Sequence, residues 1–92
     1  MDYKLLYSQT SMRQIRKLHP QIKPVVKSKI EKLRKNPFDG KKLEKELSGY
    51  WSRRAKRFRI IYKIRDDDLT VEIHHVGHRK DIYELLKEAI TK

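Results

Sequence analysis

The segment from Tyr50 to Arg65 is crowded with basic side chains and contains no acidic residue. Seven cations lie within it: Arg53, Arg54, Lys56, Arg57, Arg59, Lys63 and Arg65. Folding alone gives no reason to collect like charges on neighbouring strands, because they repel one another. Binding an anion relieves that repulsion, and the guanidinium group of arginine presents a planar fork of N–H donors that matches phosphate oxygens. The segment therefore predicts a binding site for a phosphodiester.

A second group of polar residues follows the last predicted strand. Gly77, His78 and Arg79 come at its end, and Tyr83 follows where a helix begins. The ring of Tyr83 offers a face on which an unstacked base can stack, and His78 or His74 is a candidate proton acceptor. By themselves, these residues fit either a catalytic site or a binding stripe without chemistry.

The composition limits the class of protein. The chain has 92 residues and a formal net charge of +12 at pH 7, with no Cys and four His. This size predicts one domain over residues 1–92, and the charge predicts a polyanionic partner such as nucleic acid, with ribosome surfaces and acidic proteins as alternatives. The absence of Cys excludes disulfides and thiolate metal sites. No signal or membrane-spanning pattern is visible, so we expect a cytoplasmic protein with no metal, cofactor or membrane partner.

Hydrophobic periodicity predicts the elements in the first half of the chain. A strand is expected over residues 3–8, followed by a helix capped by Thr10 or Ser11. A second helix begins between Pro20 and Pro24 and ends at Asn36, so the two helices form a hairpin. Residues 36–49 are predicted to form a loop with one helical turn at most.

The second half of the chain alternates apolar and polar residues. Strands are predicted from about Tyr50, over 58–65 and over 69–76, and Gly77 is expected to leave the sheet. Asp81 and Glu84 match a capping box that opens a final helix. The order β-α-α-β-β-β-α predicts an α+β fold: a mostly antiparallel four-stranded sheet with a helical hairpin on one face and a C-terminal helix.

Strand alternation also predicts which side chains share a sheet face. If Trp51, Phe58, Ile60 and Tyr62 face the helical hairpin, one set of side chains lies on the opposite face, which we expect to be open. That set is Ser52, Arg54, Lys56, Arg59, Ile61 and Lys63.

Two segments carry a resemblance to a known family. LSGYWSRRAKRFRIIY over residues 47–62 and GHRKDIY over residues 77–83 resemble the RelE/ParE superfamily of small toxins from bacterial and archaeal toxin-antitoxin systems. The first segment is more similar to the YoeB branch and the second to the RelE branch. The resemblance covers essentially the whole chain, because the predicted element order is that of the superfamily.

The resemblance implies a ribosome-dependent, metal-independent endoribonuclease that cuts mRNA in the ribosomal A site and is held inactive by a cognate antitoxin. The partners would then be the antitoxin, the ribosome and mRNA. By its motifs, Arg54, Arg59 and Arg79 would stabilise charge on the phosphate, and Tyr83 would contact the substrate nucleotide. We add His78 as a candidate catalytic residue, and four further cations as RNA-binding residues: Arg53, Lys56, Arg57 and Lys63.

The sequence also departs from the family pattern. The YoeB branch has a Glu upstream of its Leu-Ser-Gly segment, where Lys41 or Lys42 stands here; Glu44 and Glu46 are near but out of register. The His-Tyr pair that ends the YoeB branch is missing. The general base therefore stays open among His78, His74, Lys56 and the RNA or ribosome. Two alternative functions also stay open, a ParE-like gyrase inhibitor and a non-catalytic RNA- or ribosome-binding module.

Overall fold

The computed structural model describes residues 2–91, which form one five-stranded sheet and three α-helices. The elements are β1 (Lys4–Tyr7), α1 (Gln9–Arg16), α2 (Lys23–Lys35), β2 (Lys41–Lys42), β3 (Trp51–Ala55), β4 (Phe58–Arg65), β5 (Thr70–His78) and α3 (Ile82–Thr91). Single 3-10 turns at Pro37–Asp39 and Lys45–Leu47 flank β2. Within residues 2–91, no helix is both long and apolar enough to cross a membrane.

The strand order across the sheet is β1-β5-β4-β3-β2. β1 runs parallel to β5, and every other pair of neighbours is antiparallel. The predicted α+β class and mostly antiparallel sheet are confirmed, but the sheet has five strands rather than four. The additional strand is β2, and two consecutive lysines give no alternation from which a strand can be predicted.

The helical hairpin forms where it was predicted, with a different cap. Ser8 is the N-cap of α1, since its Oγ accepts a hydrogen bond from the backbone N–H of Ser11 at 3.0 Å. The predicted caps Thr10 and Ser11 are inside the helix instead. Ser11 is buried, and its hydroxyl donates to the carbonyl oxygen of Ile73 at 3.0 Å. This bond fastens α1 to β5.

Apolar side chains pack on both faces of the sheet. On one face, α1 and α2 bury residues such as Ile60 and Tyr62 of β4. On the other face, Ile82 and Leu86 of α3 bury Ile61 together with Leu43 and Leu47. The expectation that this second face is open is therefore wrong. Ile61 is the apolar member of the side-chain set predicted for this face, and α3 covers it.

Gly77 stays within β5, contrary to the prediction that the chain leaves the sheet there. It is the register partner of Arg59 on β4. A Cβ atom at this position would lie 2.8 Å from Cδ1 of Ile82. The missing side chain is therefore what allows the first turn of α3 to approach the sheet beside Arg59.

We expect Gly77→Ala to lower the free energy of unfolding by about 1–3 kcal/mol, because the added methyl group overpacks the contact with Ile82. The double variant Gly77→Ala/Ile82→Val removes the clashing Cδ1 atom. Its loss of stability should be smaller than the sum of the two single losses, as measured by urea unfolding. Strictly additive losses would show that the contact with Ile82 does not require glycine.

Candidate functional site

Arg54 and Arg59 lie opposite each other on β3 and β4. Ile60 is buried against α1 and α2, whereas Ile61 is buried against α3. Because alternate residues of a strand share a face, Arg59 lies on the α3 face, and its register partner Arg54 lies there too. Arg54 is exposed and Arg59 is half-buried. The structure thus brings together two of the arginines that the sequence predicted to share a site.

Ser52 connects Arg59 to α3. Its side chain is buried, with 1% exposure. The hydroxyl of Tyr83 donates to Oγ of Ser52 at 3.2 Å, and Nη1 of Arg59 donates to the same oxygen at 3.4 Å. Side chains from β3, β4 and α3 therefore meet at one atom. Strand alternation had placed Ser52 on this face, but a serine among arginines gives no further sign of such a role.

A cleft of about 270 Å³ opens beside these side chains. It is lined by Asp39, Gly40, Lys41, Ser52, Arg53, Arg54 and Arg59. Lys41 is the register partner of Ser52, so it shares the face of Arg54 and Arg59. Sequence reasoning did not include Lys41 among the site residues, because the pairing of β2 with β3 cannot be read from two lysines.

The turn between β3 and β4 holds further cations at the edge of this cleft. Lys56 adopts a left-handed conformation with φ of 56°, and its carbonyl oxygen accepts a hydrogen bond from Nε of Arg54 at 3.0 Å. The backbone N–H of Arg79 donates to the carbonyl oxygen of Arg57 at 2.8 Å. Arg54, Lys56, Arg57 and Arg79 are all exposed at this end of the sheet.

One predicted site residue, His78, lies on the opposite face. His78 is the register partner of Phe58, and their ring centroids are 5.6 Å apart. Phe58 packs against the α1 and α2 cluster, so the His78 ring is on that side of the sheet. β5 continues through Gly77, which is paired with Arg59 on the α3 face. Because successive residues of a strand point to opposite faces, the His78 side chain lies on the α1 and α2 face. Arg53 is the register partner of Ile60, but it also lines the cleft, and its guanidinium forms an ion pair of 3.4 Å with Asp39 of the same lining.

Lys63 is on the α3 face but far from the two arginines. Lys63 is four positions after Arg59 on β4, and four positions along a strand span about 13 Å. Its Nζ lies 4.6 Å from the centroid of the Tyr50 ring, a cation–π contact. The structure therefore places Lys63 outside the cleft.

His74 and His75 of β5 lie away from the cleft, near Glu72 and Arg65. Nε2 of His74 lies 3.1 Å from Oε1 of Glu72, and Nη1 of Arg65 donates to Oε2 of Glu72 at 3.2 Å. Burial raises the pKa of Glu72, but these two hydrogen bonds outweigh it and leave the pKa lowered. Burial lowers the pKa of His75, and repulsion from His74 lowers it further. None of these residues lines the cleft.

The cleft has the chemistry of an anion site. Three arginines and one lysine line it, and the hydroxyl of Tyr83 reaches Ser52 beside them. Asp39 is the one carboxylate among the described residues that line it, and Arg53 neutralises that charge. Among residues 2–91, no group of three or more His, Asp or Glu side chains could hold a metal ion.

Comparisons with known proteins all point in one direction. A family model described as the ParE toxin of type II toxin-antitoxin systems matches residues 2–83. Toxin RelG of Mycobacterium tuberculosis is 39% identical over 85 residues, which are 90% of this chain and 98% of RelG. Toxin YoeB of Escherichia coli is 35% identical over 75 residues, which are 76% of this chain and 79% of YoeB.

Solved structures agree with these sequence matches. A chain in the crystal structure of the RelBE2 toxin-antitoxin complex from Mycobacterium tuberculosis superposes with a TM-score of 0.80 at 35% identity, covering 88% of this chain and 95% of that chain. A chain of the intact Escherichia coli RelBE complex superposes with a TM-score of 0.71 at 19% identity, covering 83% and 95%, which supports the shared fold. The resemblance noted from the sequence is confirmed, and the chain belongs to the RelE/ParE superfamily of toxins from type II toxin-antitoxin systems.

Proposed function

We propose that residues 1–92 act as one toxin domain that cleaves mRNA in the ribosomal A site without a metal ion. The observation that carries this proposal is the convergence of Arg59 and Tyr83 on Ser52, with Arg54 directly opposite Arg59. Guanidinium groups held on neighbouring strands suit a phosphate that gains negative charge as it reacts. In this proposal, Tyr83 contacts the adjoining nucleotide.

In the proposed reaction, the 2′-oxygen of one nucleotide attacks the adjacent phosphorus. Its proton leaves to a base, the bond from phosphorus to the 5′-oxygen breaks, and that oxygen takes up a proton. The products are a 2′,3′-cyclic phosphate and a free 5′-hydroxyl. Arg54 and Arg59 stabilise the phosphorane, and the exposed Lys56, Arg57 and Arg79 bind the flanking phosphates.

The proton acceptor in this proposal is Lys56, the RNA or the ribosome. His78 faces the other side of the sheet, and Asp39, the carboxylate lining the cleft, is paired with Arg53. Arginine stays protonated and cannot act as a base. If the ribosome supplies the base, free RNA meets only the charge-stabilising half of the machinery, which would explain dependence on the ribosome.

We also propose a cognate antitoxin as the partner that silences the protein. The RelBE2 and RelBE structures are complexes of a toxin with an antitoxin. A net charge of +12 favours a partner whose contacting segment is acidic. Such a segment could neutralise the exposed cations around the cleft.

The proposal is tested by inducing the protein and mapping 5′ ends on translated and untranslated copies of one message. We expect new 5′-hydroxyl ends within the translated reading frame, and none in a copy whose start codon has been removed. Equal cutting of both copies would contradict ribosome dependence.

The family model that matches the chain is described as the ParE toxin. A ParE-like toxin that inhibits gyrase is therefore the second candidate. It predicts growth arrest with intact mRNA and altered DNA supercoiling. The same induced culture distinguishes the two, because plasmid topology and message integrity can be measured side by side. A non-catalytic module would leave both unchanged.

A further inference from the structure

We infer that Ser52 is a positioning residue that holds the Arg59 guanidinium and the Tyr83 hydroxyl in place over the scissile phosphate; the inference rests on the proposed function. Ser52 itself is buried, at 1% exposure, and sits at the floor of the cleft. A substrate would therefore meet Arg59 and Tyr83, while Ser52 acts through them.

The hydrogen-bonding capacity of a serine hydroxyl fits this role. It has two acceptor lone pairs, and here they are taken by the hydroxyl of Tyr83 at 3.2 Å and by Nη1 of Arg59 at 3.4 Å. Both donors come from elements other than β3. The Ser52 oxygen therefore fixes the position of the Arg59 guanidinium relative to the Tyr83 hydroxyl. The backbone of β4 and α3 alone does not fix that position.

Arg59 needs such a tether because of its surroundings. Its register partner on β3 is Arg54, which carries the same charge, and among the described residues no carboxylate lies within ion-pair distance of Arg59. Repulsion from Arg54 would drive its guanidinium towards solvent. The Ser52 hydroxyl is the one hydrogen-bonding side chain found for Arg59 in residues 2–91.

The position also requires a small side chain. Ser52 pairs with Lys41 on one side and Ile61 on the other, so it lies between the cleft and the apolar contact beneath α3. A larger residue would fill the cleft, and alanine would leave it open but remove the acceptor. Ser52→Ala is therefore the variant that removes the tether with little change in shape.

The test measures the maximal rate and KM for cleavage of a defined mRNA on programmed ribosomes. We expect Ser52→Ala to lower the maximal rate about 10- to 100-fold, the range that misplacement of a catalytic group produces, and to leave KM nearly unchanged. The same change in an Arg59→Ala/Tyr83→Phe background should cost much less, because both groups that Ser52 positions are already gone. Ser28→Ala, an exposed site on α2, is the matched control and should cleave like the parent protein.

An unchanged rate in Ser52→Ala would overturn the inference. So would an equal loss in the parent protein and in the Arg59→Ala/Tyr83→Phe background, since that result indicates a general structural role. A parent protein that does not cleave translated mRNA would contradict the proposed function instead.

The tether can then be examined without activity through the NMR signals of the Arg59 side chain. Restricted rotation of its guanidinium in the parent protein and faster rotation in Ser52→Ala would support the inference. Identical rotation in both proteins would overturn it.

Discussion

Arg59→Ala is expected to slow cleavage of translated mRNA about 10²- to 10³-fold, the cost of removing one preorganised donor from a site where charge develops. Arg59 is half-buried, and both Ser52 and its strand hold it in the cleft. It therefore meets the phosphorane with little reorganisation. The measurement is the single-turnover rate on programmed ribosomes at saturating toxin.

Two further variants make this result specific. Arg59→Lys keeps the charge but loses the planar fork of donors, so it should fall between the parent protein and Arg59→Ala. Arg13→Ala removes an exposed arginine from α1, on the other face of the sheet, and should cleave at the parental rate. If Arg59→Ala and Arg13→Ala cleave equally fast, Arg59 does not belong to the catalytic site.

The sequence predicted the strands that carry the site because their patterns are regular. Alternation over residues 58–65 fixes which side chains share a face, and Arg54, Arg59 and Ser52 lie on the face that this pattern predicts. The same reasoning failed at Gly77. A glycine near the end of a strand suggested an exit, whereas the close approach of Ile82 is what requires glycine.

His78 shows how one such error reaches the candidate site. Its place in the sequence beside Arg79 suggested a shared site, but continuation of β5 puts successive residues on opposite faces. The positions of Lys41 and Tyr83 in the site depend on contacts between elements that are distant in the sequence. Tyr83 was included through its resemblance to a family motif, and Lys41 was missed because the pairing of β2 with β3 leaves no mark in the local pattern.

The burial of Ile61 is a similar case. A single isoleucine in a row of arginines and lysines could be an ordinary exposed apolar residue. That Ile61 belongs to a core can be recognised only when α3 is known to fold back across the sheet, because Ile82 and Leu86 then cover it. That packing also delivers Tyr83 to Ser52, so the apolar contact and the polar site form together.

Binding of a non-cleavable single-stranded RNA should depend steeply on salt. Apart from Arg53, which is paired with Asp39, six cations surround the cleft and the adjoining turn: Lys41, Arg54, Lys56, Arg57, Arg59 and Arg79. If each neutralises one phosphate, the slope of log K against log salt is about −4, since each contact on a single strand contributes about −0.7. Between roughly 50 and 200 mM salt, affinity should then fall several hundred-fold, a figure good to about a factor of three.

A charge-matched pair of variants locates the binding surface. Arg57→Gln removes a cation from the turn beside the cleft, and it should weaken binding and make the slope shallower by about 0.7. Lys32→Gln removes an exposed cation from α2, on the opposite side of the sheet, and should leave the slope unchanged. Equal changes in the two variants would mean that RNA responds to the net charge of +12 rather than to this surface, because a general attraction does not distinguish between faces.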